Sequence, residues 1–260
     1  MEKYFTANGH ETSSQLVMAR HTMLEPVLSL QDRARAEVTN GLAIITNTAP
    51  TAFWVIWHVF SDSGLLARVR EQVESILTVS KSGAAIVKTL ETSKLKDIPL
   101  LISLIQETIR LRARGTGPRF AADDVVLSSD SAEFHIEKGA TVMLAHQGLN
   151  QNPHVWGDDA GQFVPERFLP GSKNKVPANA FRGFGGGANM CPGKGFAIQE
   201  IAELVAMLVC RFDLVPVGGV WGEPGQDEGN MAREHTEPKR RVKVRIVPRK
   251  DVEGVVWRFG

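Results

Sequence analysis

Phe181-Arg182-Gly183-Phe184-Gly185-Gly186-Gly187-Ala188-Asn189-Met190-Cys191-Pro192-Gly193-Lys194-Gly195 is a glycine-rich loop that runs into Cys191 at the head of an apolar, helix-patterned stretch. Three chemistries compete for it. One is a phosphate cradle, because glycines let backbone N–H groups approach an anion at a helix N-terminus. A Walker-type nucleotide loop wants Lys-Ser or Lys-Thr after its last glycine, and Gly193-Lys194-Gly195 lacks that hydroxyl. The second is a metal thiolate, since the free N–H groups of a first helical turn favour a sulfur anion and glycines let the backbone pass close under a flat ligand. A single cysteine with no His or Cys partner at ligand spacing points to haem, whose equatorial donors come from the porphyrin. The third is a structural cysteine beside a turn, because free cysteine is among the most buried residue types.

The helix after this loop, from about Cys191 to Arg211, places Ala197, Ile201, Leu204, Val205 and Leu208 on one face. Upstream, residues 147–190 are rich in Pro and Gly and read as loop. Residues 115–146 change texture: Val125, Val126, Phe134, Ile136, Val142 and Leu144 are punctuated by Asp123-Asp124 and Lys138-Gly139, the pattern of short strands and hairpins. Helices are predicted over Pro99–Arg112 and Leu65–Leu77. A long apolar helix is predicted from Asp32 to Phe60, with a kink at Pro50. Residues 1–30 read as loop with short helical pieces, and Arg241–Ile246 as a terminal strand. The fold class is therefore mainly α with small β-sheets, and the length allows one large domain or two small ones.

Composition limits the function classes. The chain has 260 residues, 43% hydrophobic and 23% charged, which suits a folded globular protein. Thirty Lys and Arg against 29 Asp and Glu leave a formal charge of +1, which argues against a nucleic-acid binder that needs a basic face. Two cysteines, Cys191 and Cys210, are too few for a disulfide framework or a four-cysteine zinc site. No run of about 18 apolar residues occurs, so neither a membrane span nor an anchor is read in this chain, and no signal peptide is visible.

The cysteine loop closely resembles the haem-binding signature of the cytochrome P-450 family, Phe-x-x-Gly-x-x-x-Cys-x-Gly, with Phe184, Gly187, Cys191 and Gly193 in its defining places. Two further family motifs occur in the family order. Glu107-Thr108-Ile109-Arg110 matches the Glu-x-x-Arg helix motif, and Phe163-Val164-Pro165-Glu166-Arg167-Phe168 matches the Pro-Glu-Arg-Phe segment of the meander. The match extends over nearly the whole chain and implies a single partial domain over 1–260, the C-terminal half of the family fold without its N-terminal half: long kinked central helix, Glu-x-x-Arg helix, meander, and cysteine loop with its helix.

The resemblance implies a b-type haem, iron protoporphyrin IX, with Cys191 as axial metal ligand. It implies a buried charge set of Glu107, Arg110 and Arg167, where the residues alone give only a solvated i,i+3 pair. Arg119 stands where the family supplies a propionate-binding arginine. Asn189 replaces the usual basic residue two places before the cysteine, and Arg182 is the candidate to compensate. On the long helix the acid-threonine pair that most members use near bound dioxygen is missing. Asn47 and Thr48 stand there as the candidate catalytic residues. The Asn-Thr-x-Pro-x-x-Phe-Trp run, Asn47 to Trp54, is similar to the branch of sterol 7α-hydroxylases and prostacyclin synthase, with fungal relatives.

The implied function is a haem-thiolate monooxygenase acting on a small apolar substrate, with an NADPH-dependent reductase as partner. For a full-length form it implies the endoplasmic reticulum membrane. Two alternatives stand beside it: a truncated, non-catalytic fragment, and an isomerase that rearranges a peroxide. A half-length chain is expected to leave Phe53, Trp54 and Trp57 as an exposed patch. His58 reads as a packed histidine, and His146 and His154 have no ligand-like spacing.

Overall fold

A computed structural model describes residues 1–172, 176, 179–229 and 233–260, and Asn189 without its side chain. The propionate-side reading of Asn189 therefore lies outside what is described. The chain divides into two compact units, Met1–Ala49 and Pro50–Gly260. The division falls within one helix.

The first unit holds α1 (Glu2–Thr6), a 3-10 turn (Gly9–Thr12), α2 (Gln15–Leu24) and the first part of α3 (Leu30–Ser61). It is more helical than its breakers, Gly9 and Pro26, suggest. Ser14 starts α2 by accepting from the Val17 N–H, which satisfies one of the orphan donors of a first turn. Phe5, His21 and Ala34 are buried in this unit, and the His10 and His21 rings stack at 3.8 Å between centroids.

Helix α3 continues through Pro50. By length and composition it could cross a membrane, with a mean hydropathy of 1.2 over its most apolar window, a property missed when only unbroken apolar runs are counted. Its second part belongs to the core of the second unit. The expected exposed patch at Phe53, Trp54 and Trp57 is not found: Trp54 is fully buried and the other two are half-buried. Trp54 donates its indole N–H to the Thr236 carbonyl at 2.8 Å, and the Arg112 guanidinium lies 3.7 Å over its ring. The exposed large apolar side chains of α3 are Leu30, Val38, Leu42 and Ile45, all in its first part.

The second unit packs α4 (Ser63–Glu74), α5 (Pro99–Arg112) and α8 (Lys194–Arg211) against the Pro50–Ser61 segment. Asp62 caps α4 by accepting from the Leu65 N–H, and Pro99 opens α5 at a position whose N–H has no helical partner anyway. Leu65, Val69 and Val73 of α4, Leu101, Leu104 and Ile105 of α5, and Ile201, Val205 and Val209 of α8 form one buried cluster. Helix α4 ends at Glu74, so Leu77 leaves the predicted helix and starts a strand.

Four small sheets surround this core. β1 (Leu77–Ser82), β2 (Ala85–Leu90) and β9 (Val256–Phe259) form the largest, with β2 antiparallel to β1 and parallel to β9. β3 (Thr116–Phe120) pairs with β6 (Thr141–Ala145), β4 (Val125–Ser128) with β5 (Glu133–Ile136), and β7 (Phe212–Pro216) with β8 (Val244–Pro248). The strand expected over Arg241–Ile246 is shifted to Val244–Pro248, and it is followed by β9 rather than ending the chain. Two short helices, α6 (His146–Asn150) and α7 (Pro153–Trp156), lead into the irregular segment before the cysteine loop.

Candidate active site

The cysteine loop is shaped by its glycines. Gly185 and Gly187 have φ of 72° and 66°, the left-handed region where a Cβ is strained. Gly183 lies so close to Ile109 of α5 that a Cβ there would collide with the Ile109 Cγ2, so the loop and the Glu-x-x-Arg helix touch through this glycine. The loop closes when the Cys191 N–H donates to the Phe184 carbonyl at 2.9 Å. Phe184 packs its ring against the core and anchors the loop. Gly193 is the N-cap of α8, and a Cβ there would meet the Cys191 Sγ at 3.7 Å. Cys191 is left exposed at the head of α8.

Cys210 on the same helix is buried, and burial pushes its thiol up to about 12. It is a core thiol, inert as a ligand. Among the described residues no cluster of three or more His, Cys, Asp or Glu could hold a metal ion. A lone exposed thiol therefore suits an iron that brings its own equatorial donors.

Beside the loop lies a cavity of about 500 Å³, lined among others by Arg119, His146, Arg182, Gly186 and Gly187. Arg119 sits on β3, and its guanidinium donates only to the neighbouring Pro118 carbonyl, at 2.8 Å. The Arg182 guanidinium lies against Gly186, where a Cβ would collide with it. Arg182 has no hydrogen bond or ion pair among the described residues. The cavity thus carries two guanidinium groups with donors to spare and, among the described residues, no lining carboxylate, a polarity that fits the two carboxylates of a haem. Together with the lone thiol, it passes the test of fit for that group.

The structure brings Glu107, Arg110 and Arg167 together with no side-chain exposure. Arg110 grips the Glu107 carboxylate with two hydrogen bonds, from Nε at 2.7 Å and Nη2 at 2.8 Å. Arg167 Nε reaches the same carboxylate at 3.1 Å, and its Nη1 donates to Asp159 at 2.9 Å. The Val164 N–H adds a further donor to Glu107 at 2.9 Å. Arg110 Nη1 donates to the Asn150 and Ala160 carbonyls, each at 2.6 Å. Two cations face two carboxylates, so the set is neutral and its donors are used, the condition for burying charge at tolerable cost. Burial works against the Arg167 charge, but Asp159 and Glu107 outweigh it and hold the guanidinium above its ordinary value. This set pins the 150–168 segment to α5, the helix on which the cysteine loop rests through Gly183.

The remaining sequence candidates fall elsewhere. Asn47 and Thr48 are half-buried on α3 within the first unit. His58 is buried and stacked on Phe163 with ring centroids 3.5 Å apart. His146, for which the sequence shows no ligand-like spacing, and Glu234, which it does not single out, meet at 2.7 Å. They are 88 positions apart, and no spacing signal links them.

The sequence profile described as Cytochrome P-450 matches residues 27–236. The chain belongs to the cytochrome P-450 family. Membership implies a haem cofactor. A cytochrome P-450 monooxygenase named nodJ from Hypoxylon pulicicidum is 29% identical over 270 residues, covering 100% of this chain and 52% of that protein. Cholesterol 7-alpha-monooxygenase of Cricetulus griseus is 27% identical over 219 residues, covering 77% of the chain and 42% of that protein. A bifunctional cytochrome P-450/NADPH–P-450 reductase of Alternaria alternata, ALT2, is 28% identical over 203 residues, or 75% of the chain and 18% of that protein. The chain spans about half the length of the first of these relatives. This P-450 chain therefore pairs a family profile with the α-rich architecture and small sheets that its motifs imply.

Proposed function

We propose that this chain carries the cysteine side of a haem-thiolate monooxygenase for a small apolar substrate, with Cys191 as axial ligand of haem b. The observation that carries the reading is the exposed Cys191 thiol at the head of α8, on a loop whose Gly187 wall borders a cavity with two guanidinium groups that have no ion pair among the described residues. Bound there, the haem would supply the oxidising chemistry of the family. Phe184 and Gly193 would shape the loop around the sulfur. The start of α8 at Lys194 places the positive end of a helix dipole beside the sulfur. Arg119 and Arg182 would hold the carboxylate edge, since charge-assisted bonds from guanidinium to carboxylate are among the stronger ones available.

Asn47 and Thr48 are proposed for the oxygen side by resemblance. An amide at Asn47 can donate and accept hydrogen bonds, but it does not titrate as an acid would. The electron donor is proposed to be an NADPH-dependent reductase, supported by the relative that carries such a reductase in its own chain. Apolar substrates are supported by the relative named for cholesterol oxidation.

The test is electron paramagnetic resonance of the ferric protein loaded with haem. A low-spin thiolate signal in the wild type that disappears in Cys191→Ala supports the reading. The same signal in both proteins contradicts it. Oxidation of a sterol or terpenoid by the haem-loaded protein with NADPH and a reductase then tests the activity itself.

A further inference from the structure

We propose that His146, oriented through its Nδ1 by Glu234, is a third polar contact for the carboxylate edge of the group bound in the cavity beside the cysteine loop. This rests on the haem reading above. It adds a pair of residues that no motif in the chain marks.

The argument begins with the ring. His146 Nδ1 lies 2.7 Å from a Glu234 carboxylate oxygen in a part-buried setting. A carboxylate only accepts, so Nδ1 carries the proton and donates. That commits one ring nitrogen and fixes the plane of the ring. The other, Nε2, has no hydrogen bond among the described residues. The imidazole lines the cavity together with Arg119 and Arg182, and its side chain is 11% exposed. With Nδ1 donating to Glu234, Nε2 is the ring atom left to meet a ligand: it donates to a carboxylate in the doubly protonated ring and accepts from a carboxylic acid in the neutral one.

The pair is also built into the backbone. Gly117 on β3 lets the imidazole come close, since a Cβ there would stand 3.1 Å from His146 Nε2. Gly115 does the same for Glu234, whose carboxylate would collide with a Cβ at that position. The Arg114 N–H donates to the Glu234 carbonyl at 2.7 Å, which fixes the segment carrying the carboxylate. The His146 N–H donates to the Gly115 carbonyl at 3.1 Å. Both side chains are thus set by main-chain bonds to the same stretch, 114–117.

Arg119 and Arg182 line the same cavity and leave two positive charges for a ligand with two carboxylates. His146 is a binding residue in this account. Glu234 acts through it and is a positioning residue.

The test compares binding of haem with binding of haem dimethyl ester, whose carboxylates are masked. Wild-type protein, His146→Ala, Glu234→Gln and Glu234→Asp are titrated with both compounds, and folding of each is checked by circular dichroism. The expected result is a wild-type preference for the free acid that falls by roughly tenfold in His146→Ala and by roughly threefold or more in Glu234→Gln, the order expected for a lost charge-assisted hydrogen bond. Glu234→Asp should recover part of it. A merely structural role would weaken both compounds equally and leave the preference unchanged, and that result overturns the inference. If His146→Ala does not fold, the near-isosteric Glu234→Gln decides alone. If the wild type binds neither compound, the haem reading itself falls and this inference with it. Binding of both by the wild type with an unaltered preference in the folded variants sinks only the inference.

Discussion

Glu107 shows how much chemistry can rest on one side chain. Its carboxylate accepts from Arg110, Arg167 and the Val164 N–H, and no side-chain surface remains in contact with solvent. Glu107→Gln would leave two buried guanidinium groups against one carboxylate, Asp159. Breaking a buried set in this way costs about 3–5 kcal/mol, to be read as a lowered urea midpoint; a loss below about 1 kcal/mol would mean that the set is not stabilising. His58 gives a second prediction. Burial, with Arg112 beside it, lowers its pKa from 6.5 to about 3. Unfolding therefore takes up a proton at any pH between those values, so stability is full above 6.5 and is lost as pH falls towards 3. Between pH 7.5 and 5 the loss is about 2 kcal/mol, measurable as the difference in pH slope between the wild type and His58→Gln. An identical slope in both would show that His58 is accessible to protons in the folded state. At this scale Glu107 and Arg110 were legible from spacing as an i,i+3 pair. The link to Arg167 came only from the family resemblance. Asp159 and the carbonyls that finish the set are tertiary partners with no sequence period.

Helices carried the clearest sequence signal. α5 begins and ends where its Pro99 start and apolar spacing place it, and α8 was recovered apart from its first residues. Those first residues differ because Cys191 to Gly193 form the turn ahead of the helix rather than its first turn. Small sheets were partly legible. The β3 to β6 region alternates enough to show strands, whereas β1, β2 and β9 did not stand out. β1 is largely exposed, and β2 finds its parallel partner about 170 residues later, at Val256–Phe259. Such non-local pairing leaves no local mark. Two predictions belong here. Removing residues 255–260 should expose Val87 and Leu90, now 2% and 1% exposed. Burying such side chains is worth about 1.5–3 kcal/mol each, so the thermal midpoint should fall; an unchanged midpoint would show that β9 adds nothing. Gly183→Ala should push the cysteine loop off Ile109. Overpacking of this kind costs about 1–3 kcal/mol, and haem affinity should fall with stability. Unaltered haem affinity would mean that the loop does not depend on its seat against α5.

The whole chain combines a well-packed second unit, Pro50–Gly260, with a smaller first unit that shares helix α3. The cysteine, both cavity arginines, the buried charge set and the His146–Glu234 pair all lie in the second unit, which therefore holds the whole of the proposed haem site. A ligand that binds only the folded state raises stability by mass action, about 2.7 kcal/mol at a hundredfold excess over its Kd. Three short motifs in the sequence point to this unit. They do not link β6, α6 and α7 to the cavity wall that Arg119 and Arg182 share, because those elements reach it only through tertiary packing. The most direct measurement is the ferrous–CO absorption spectrum of the haem-loaded protein, compared with Cys191→Ala and Cys210→Ala. The account predicts the red-shifted Soret band of thiolate ligation in the wild type and in Cys210→Ala, and its loss in Cys191→Ala. A red-shifted band that survives in Cys191→Ala would contradict the assignment of Cys191 as the iron ligand.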